Sequence, residues 1–318
     1  MQTIDIVIPT FKRAHMLLRT LESIRRARCP SGIFLRVIVV DNNSQDQTES
    51  IVREFSASSH LCVTYLHEAR AGRSAAINAG VKSSEAEYVG FIDDDEELFP
   101  EWIEAVAEAL QTTAADYLGG ACVPDFTGIL PDWLPSDWPG VLGDISGPEE
   151  VVQFTSEGNA FFTGGNGVIR RELFLRIGCY NPLLGRTGQQ SLMSCEDRDL
   201  FDRLLEHGCR GFFVPSMKVW HHVPPERLTQ EYFRRWAFDH GASLTVYSRL
   251  TGRSTKRSFF GVERWIWRST AGHLVTLLTP RVASGIKRSQ AFSSELHLRE
   301  FAGRLRGRTY PLPQGEMA

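Results

Sequence analysis

Residues 88–97 read YVGFIDDDEE, five apolar or small residues running straight into five consecutive acids. An uninterrupted apolar run of this length suits a strand buried on both faces, as in a parallel sheet. The carboxylates that follow repel one another at close range. Hard divalent cations want such oxygens, and Mg²⁺ or Mn²⁺ takes one or two carboxylates plus substrate phosphates. The competing reading is an acidic cluster favoured by the dipole of a following helix. Pro100 opens such a helix, with Ile103, Val106, Ala107 and Leu110 on one face.

On either side of this stretch, short apolar runs alternate with helical patterns. Residues 4–8, 34–40 and 61–66 read as strands upstream of 88–92, and 117–123 as a strand beyond it. Leu17, Leu21 and Ile24 recur at helical spacing, and 73–82 reads as a short helix. This alternation predicts βαβ units in a doubly wound, mostly parallel α/β sheet. It stops at Pro124, where an irregular segment to residue 160 carries Pro131, Pro135, Pro139 and Pro148 around Trp133 and Trp138. A long segment of this kind inside a compact domain points to function or mobility. Order resumes with helices near 171–177 and 196–207, a strand at 211–214 and a helix over 229–249.

At 318 residues, with 42% hydrophobic and 23% charged side chains, the chain can bury a core. Mean hydropathy is −0.20, and no run of about 18 uncharged apolar residues is present to span a bilayer. The start, MQTIDIVIPT, has no basic segment ahead of its apolar run and reads as a first strand, not a secretion signal. The six cysteines include no CxxC pair, which predicts reduced thiols in a cytosolic protein. A formal charge of −3 argues against a general nucleic-acid binder. That figure hides an asymmetry: residues 251–318 hold twelve Lys/Arg against four Asp/Glu, leaving 23 against 34 in the first 250. In this basic extension Phe259, Phe260, Trp265, Ile266 and Trp267 interleave with Arg257, Arg264 and Arg268. The pattern fits peripheral contact with a membrane surface, a cap packed on the rest of the chain, or a homodimer contact.

Two further acidic sites end elements. Strand 34–40 runs into Asp41, and ligands of open parallel sheets bind at the carboxyl ends of strands. A carboxylate there can accept hydrogen bonds from a base or ribose, or simply cap a turn. Glu196 and Asp197 open a helix, where the dipole favours a charged carboxylate, a setting that suits a general base as well as an ordinary cap.

The motifs IVIPTFKR (6–13), VVDNNS (39–44), AGRSAAINAG (71–80), GFIDDDEEL (90–98), TGGNGVIRREL (163–173) and CEDRDLFDRLLEHG (195–208) together resemble the family 2 glycosyltransferases of the GT-A fold. The resemblance spans roughly residues 4–250. It implies an inverting, metal-dependent glycosyltransferase with a catalytic domain over 1–250. Residues 1–123 would form a Rossmann-like nucleotide-sugar half, 124–250 an acceptor half, and 251–318 a helical C-terminal extension. By position it places Pro9 and Thr10 beneath the nucleotide base, Asp41 on the base, and the segment around Gly72 and Asn78 near ribose and diphosphate. Asp93 and Asp95 match the DxD pair, with Asp94 leaving its register open. Gly164, Gly165 and Asn166 would line the acceptor side, where Trp133 and Trp138 would stack on a sugar or pin their own loop. Asp197 would be the general base, with Glu196 next in line. His221 would complete the metal site or touch the diphosphate.

One departure stands out. Many relatives read Ala-Arg-Asn where this chain has Ala76-Ile77-Asn78, so Arg70 and Arg73 are the candidates to face the diphosphate. The Arg234-Arg235-Trp236 stretch lacks the Gln-x-x-Arg-Trp of processive synthases, which predicts a non-processive enzyme. The expected ligands are Mn²⁺ or Mg²⁺, a nucleotide-diphosphate sugar with UDP favoured, and a hydroxyl acceptor, with no nucleic acid. The expected place is the cytoplasm, peripheral on the inner face of its membrane, in synthesis of cell-envelope polysaccharide, lipid-linked glycan or glycoconjugate. A haloacid-dehalogenase-type phosphatase would carry its DxD after the first strand. A sugar nucleotidyltransferase would show a glycine-rich basic signature there. A non-catalytic nucleotide-sugar binder is the remaining alternative.

Overall fold

The computed structural model describes residues 2–126, 129–158, 160–187, 192–253, 258–259, 262–279 and 287–312. They form two compact units, one of residues 1–126, 143–183 and 196–223, the other of 127–142, 184–195 and 224–318.

The first unit is built on a nine-stranded sheet in the order β3-β2-β1-β4-β8-β6-β9-β5, with β7 also paired to β9. Its strands are β1 Gln2–Thr10, β2 Ile33–Asp41, β3 Cys62–His67, β4 Tyr88–Ile92, β5 Glu96–Leu98, β6 Tyr117–Phe126, β7 Val152–Gln153, β8 Asn166–Arg170 and β9 Gly211–Val223. β3, β2, β1 and β4 pair in parallel. β8 runs against both β4 and β6, and β5 and β7 run against β9, so the sheet is mostly parallel but mixed. This is the expected α/β class.

Strand alternation feeds two separate cores. Ile4, Ile6, Ile8, Val37 and Val39 face one side, with Leu17, Leu21 and Ile24 of α1 (Ala14–Arg26), Val52 and Phe55 of α2 (Thr48–Ser58), and Trp102 and Val106 of α4 (Trp102–Thr113). Val7, Ile38, Val40, Val89 and Phe91 face the other, with α3 (Arg73–Ser83), α5 (Leu173–Ile177) and α6 (Glu196–Glu206). Helix α3 lies close enough to β1 that a Cβ on Gly80 would sit 2.4 Å from Val7 Cγ1.

Within this unit, helix α2 and strands β5, β7 and β8 are additional to the sequence reading. The strand expected at 211–214 runs on to Val223, because a register shift takes the pairing from Gly120–Val214 directly to Ala121–Lys218 and leaves Pro215, Ser216 and Met217 outside the ladder. A bulge is where a strand tolerates proline.

The second unit is helical, with α7 Gln230–Thr251, α8 Arg264–Leu278 and α9 Arg288–Gly307, and a short hairpin of β10 Ser258–Phe259 with β11 Val262–Glu263. Helices α7 and α9 meet backbone to backbone: a Cβ on Gly241 would lie 2.0 Å from the Glu300 carbonyl oxygen, and one on Gly303 1.9 Å from that of Phe238. Trp133 packs edge-on against Phe233 of α7 and Phe292 of α9. Trp138 is buried against Trp236 and His297. The two tryptophans therefore pin their part of the proline-rich segment to these helices, and Trp138, buried there, offers no open face to a sugar. In the basic extension Ile266 is buried and Trp267 donates to the Phe259 carbonyl and packs on Phe301, while Trp265, Leu274, Val275 and Leu278 are exposed. Phe260 and Arg257 lie outside the described residues. Arg234 pairs with Glu295 at 2.7 Å, and Trp236 stacks on His240. Among the described residues, no helix is long and apolar enough to cross a membrane.

Candidate active site

The acids after β4 do not form one solvated run, because the chain turns within them. The Glu96 N–H donates to the Asp93 carbonyl and the Asp93 N–H to Glu96 Oε2, so residues 93–96 close a tight turn into β5. This turn sorts the carboxylates. Asp94 is buried and accepts from Thr10 Oγ1 at 2.8 Å and from Arg13 at 2.9 Å. Asp95 accepts from the same guanidinium at 2.9 Å and has His221 Nε2 at 3.7 Å, beyond hydrogen-bond range. Asp93 points the other way, to Arg73 at 2.8 Å, and keeps 31% of its side chain exposed. Burial pushes the Asp94 carboxyl above its usual range, against the pull of Arg13. Burial likewise raises Glu96 well above the usual carboxylate range, and Asp93 adds to it. Asp94 holds the Arg13 proton more tightly than usual.

The β5–β9 pairing sets Glu96 opposite His221, and the His222 N–H donates to the Asp95 carbonyl at 2.8 Å. Strand β9 thus carries His221 to the acidic turn. A Cβ on Gly143 would fall 2.3 Å from His221 Nδ1, so only glycine lets the chain pass there.

Arg73, in the first turn of α3, joins this turn to the start of α6. Its Nε and Nη2 donate to Asp93 Oδ1, while Nη1 lies 3.2 Å from Asp197 and 3.4 Å from Glu196. Only 15% of its side chain is exposed. Burial alone would lower its proton affinity, but Asp93, Asp197 and Glu196 together raise it well above the ordinary value. Cys195, immediately before α6, takes a left-handed backbone with φ of +81°, a costly conformation for a residue with a Cβ.

Gly164 and Gly165 are the floor beneath these groups. A Cβ on Gly164 would stand 2.1 Å from Asp197 Oδ1 and 2.7 Å from the Tyr180 hydroxyl. One on Gly165 would stand 2.8 Å from Glu96 Oε1 and 3.0 Å from Asp93 Oδ2. The carboxylates thus converge over backbone that carries no side chain.

The other candidates separate. At the end of β2, Asp41 accepts from the Ser44 N–H and the Tyr65 hydroxyl, and burial and that bond raise the Tyr65 pKa. Pro9 and Thr10 end β1 beside it, with Thr10 paired to Asp41 across the ladder. Gly72, at φ of +130°, donates to Asn42 Oδ1. Arg70 is exposed and clamped on Glu68, whose pKa it lowers to about 2. Asn78 exchanges two hydrogen bonds with the Tyr180 backbone, at 2.8 and 2.9 Å. Asn166 has no exposed surface, and its amide is spent on Trp102 Nε1 and the Ala121 and Met217 carbonyls. It fastens the sheet from within and does not line an acceptor surface. Sequence reading assigned no role to Arg13 or Tyr180 and took Glu96 only as one of five consecutive acids. Arg13 stood in plain view at the end of IVIPTFKR, and nothing local marked its reach across to 94 and 95.

Among the described residues no group of three or more His, Cys, Asp or Glu is set to hold a metal ion, since Arg13 and Arg73 share the carboxylates. The donor chemistry, hard oxygens with one imidazole, nonetheless suits Mg²⁺ or Mn²⁺. Asp93 Oδ2 is turned to the cradle over Gly165 and away from the oxygen bonded to Arg73.

Known proteins share this arrangement of elements. The mannosyltransferase PcManGT from Pyrobaculum calidifontis, solved in complex with GDP-Man and Mn²⁺, superposes with a TM-score of 0.65 at 18% identity, over 96% of this chain and 86% of that one. S. aureus TarS 1–349 in complex with UDP superposes at 0.52 and 18% identity, over 94% and 90%. These likenesses are of fold. In sequence, the chain is 26% identical over 242 residues to the succinoglycan biosynthesis protein ExoM of Rhizobium meliloti, covering 75% of this chain and 72% of that one. It is 27% identical over 216 residues to the glucosyl-dolichyl phosphate glucuronosyltransferase of Haloferax volcanii, covering 67% of each. The profile of glycosyl transferase family 2 matches residues 5–178, which take in β1, the acidic turn and Gly164-Gly165, and the chain is therefore a glycosyltransferase of that family.

Proposed function

We propose that this enzyme moves a sugar from a nucleoside-diphosphate sugar to an acceptor hydroxyl in a single inverting displacement. The observation that carries this reading is the convergence of the 93–96 turn and the start of α6 on Arg73, above the bare backbone of Gly164 and Gly165. Residues 1–123 serve as the nucleotide-sugar half and 124–250 as the acceptor half. Asp41 meets the base at the end of β2, and Pro9 and Thr10 lie beneath it. UDP is the favoured nucleotide, since a carboxylate at Asp41 accepts the N3–H of uracil. Asp197 takes the proton of the acceptor hydroxyl while that oxygen attacks the anomeric carbon. The bond from that carbon to the diphosphate oxygen breaks on the opposite face, which inverts the centre. Arg73 replaces the cation missing at Ile77, and a diphosphate would draw its guanidinium from the carboxylates. A divalent cation drawn to Asp93, or to Asp95 beside His221, would neutralise charge on the leaving diphosphate. With ExoM and the dolichyl-phosphate enzyme as relatives, the acceptor is a growing polysaccharide or a lipid-linked glycan.

A thermal-shift panel of UDP, GDP, dTDP and CMP, each with and without Mn²⁺, tests the donor site. Ligand at a hundredfold excess over its Kd stabilises by about 2.7 kcal/mol. UDP should give the largest shift, and only with metal. Equal shifts with and without Mn²⁺ would sink the metal assignment, and a larger shift with GDP would reassign the base. Release of UDP from a UDP-sugar separates an enzyme from a silent binder.

Trp265, Val275 and Leu278 of α8 are exposed, as are Arg264 and Arg268 of the same helix, and these residues are the natural contact for an anionic lipid surface that carries such an acceptor. The protein should float with vesicles containing phosphatidylglycerol, and Trp265→Ser with Leu278→Ser should stay at the bottom of the gradient. Equal flotation of the two proteins would refute this contact.

A further inference from the structure

Tyr180 is buried, 1% exposed, and its hydroxyl has no hydrogen-bond partner among the described residues. Buried hydroxyls are nearly always paired, because an unpaired one forfeits its hydration with nothing in return. The ring is fixed from two sides. Asn78 holds its backbone through the reciprocal pair, and Phe91 meets it edge-on with centroids 5.7 Å apart. The hydroxyl emerges from this apolar core beside the same absent Cβ of Gly164 that Asp197 Oδ1 flanks. Burial first, and Asp197 second, push the tyrosine pKa well above its ordinary value, so the group is a neutral O–H donor.

We propose that Tyr180 is a positioning residue for the base: its O–H donates to the Asp197 carboxylate when Arg73 turns from Asp197 to the donor diphosphate. This deepens the functional reading above and rests on its assignment of Asp197. In the described state Arg73 holds Asp197 at 3.2 Å. Once the guanidinium leaves, the carboxylate needs another donor to keep its rotamer, and the tyrosine stands ready on a rigid mount. It also explains why Asn78 is spent on the 180 backbone: it sets the height of the hydroxyl.

Tyr180→Phe tests this, because it removes one oxygen and leaves the ring. A hydroxyl retained for stability would lower Tm when deleted. The proposal expects the reverse, a Tm equal to or above that of the parent, with unchanged UDP-induced shifts and unchanged KM for the donor. It expects kcat to fall about tenfold, as loss of one hydrogen bond to a charged group implies. Wild-type kcat would overturn the proposal, as would a lowered Tm that accounts for the lost activity. Asp197→Asn is the control. If it stays active, the base assignment fails and Tyr180 falls with it; if it is dead while Tyr180→Phe is wild type, only this inference fails.

Discussion

Asp197→Asn is expected to lower kcat by about 10²–10⁴-fold while leaving nucleotide binding close to the parent value. Asparagine keeps the size of the side chain and its acceptor oxygen, so the contact at the absent Cβ of Gly164 persists. It loses the negative charge that receives the acceptor proton in the proposed mechanism. Because the lost interaction belongs to the transition state, KM for the donor should move little. Rapid-quench turnover with a UDP-sugar, paired with a UDP thermal shift, separates chemistry from binding. Near-wild-type turnover would hand the role of base to Glu196, whose Oε1 lies 3.4 Å from the same guanidinium nitrogen.

Arg73→Met should be the most damaging change to the fold of the site. It leaves Asp93, Glu196 and Asp197 around a hole without a counter-charge. Breaking a fully buried pair costs about 3–5 kcal/mol, and the partial exposure of Asp93 and Asp197 argues for a loss of about 2–3 kcal/mol here. Activity should fall at least a hundredfold, and Mn²⁺ alone should stabilise the variant more than the parent, since a cation then relieves the repulsion. Arg73→Lys should fold better and remain slow, because one ammonium cannot reproduce a fork that spans two elements. Urea melts with and without Mn²⁺ decide this, and equal metal responses in parent and Arg73→Met would refute a shared cation site.

The parallel half of the sheet was legible because its strands are unbroken apolar runs and its helices carry clear stripes. Leu17, Leu21 and Ile24 of α1, for example, are all buried in the core. What escaped had no local signature. Strand β5 is Glu96-Glu97-Leu98, two acids and a leucine, and only its partner β9 makes it a strand. The far half of β9 hides behind Pro215, which reads as a strand end until the bulge is seen. Trp138 and Asn166 were legible as special but not as buried, since an aromatic or amide in such a motif gives no sign of which way it faces. Tyr180 carried no local mark at all; its hydroxyl matters only because residues 164 and 197 come to meet it.

The bulge in β9 also has a genetic consequence. Asn166 ties down the Met217 carbonyl within it, and a Cβ on Gly120 would sit 1.8 Å from that same oxygen, so the offset between the two halves of the strand is held at one point. Upstream of that point, Gly211–Val214 answer only to β6 and β7. Downstream, side chains alternate faces, with Trp220 stacked on Phe99 and His221 turned inward. A codon gained or lost between 214 and 218 would leave the first half untouched. It would exchange the imidazole at the acidic turn for an indole or for the neighbouring imidazole. The side chain set against the acidic turn is thus indexed by the length of a three-residue spacer, a quantity that substitution alone cannot reach.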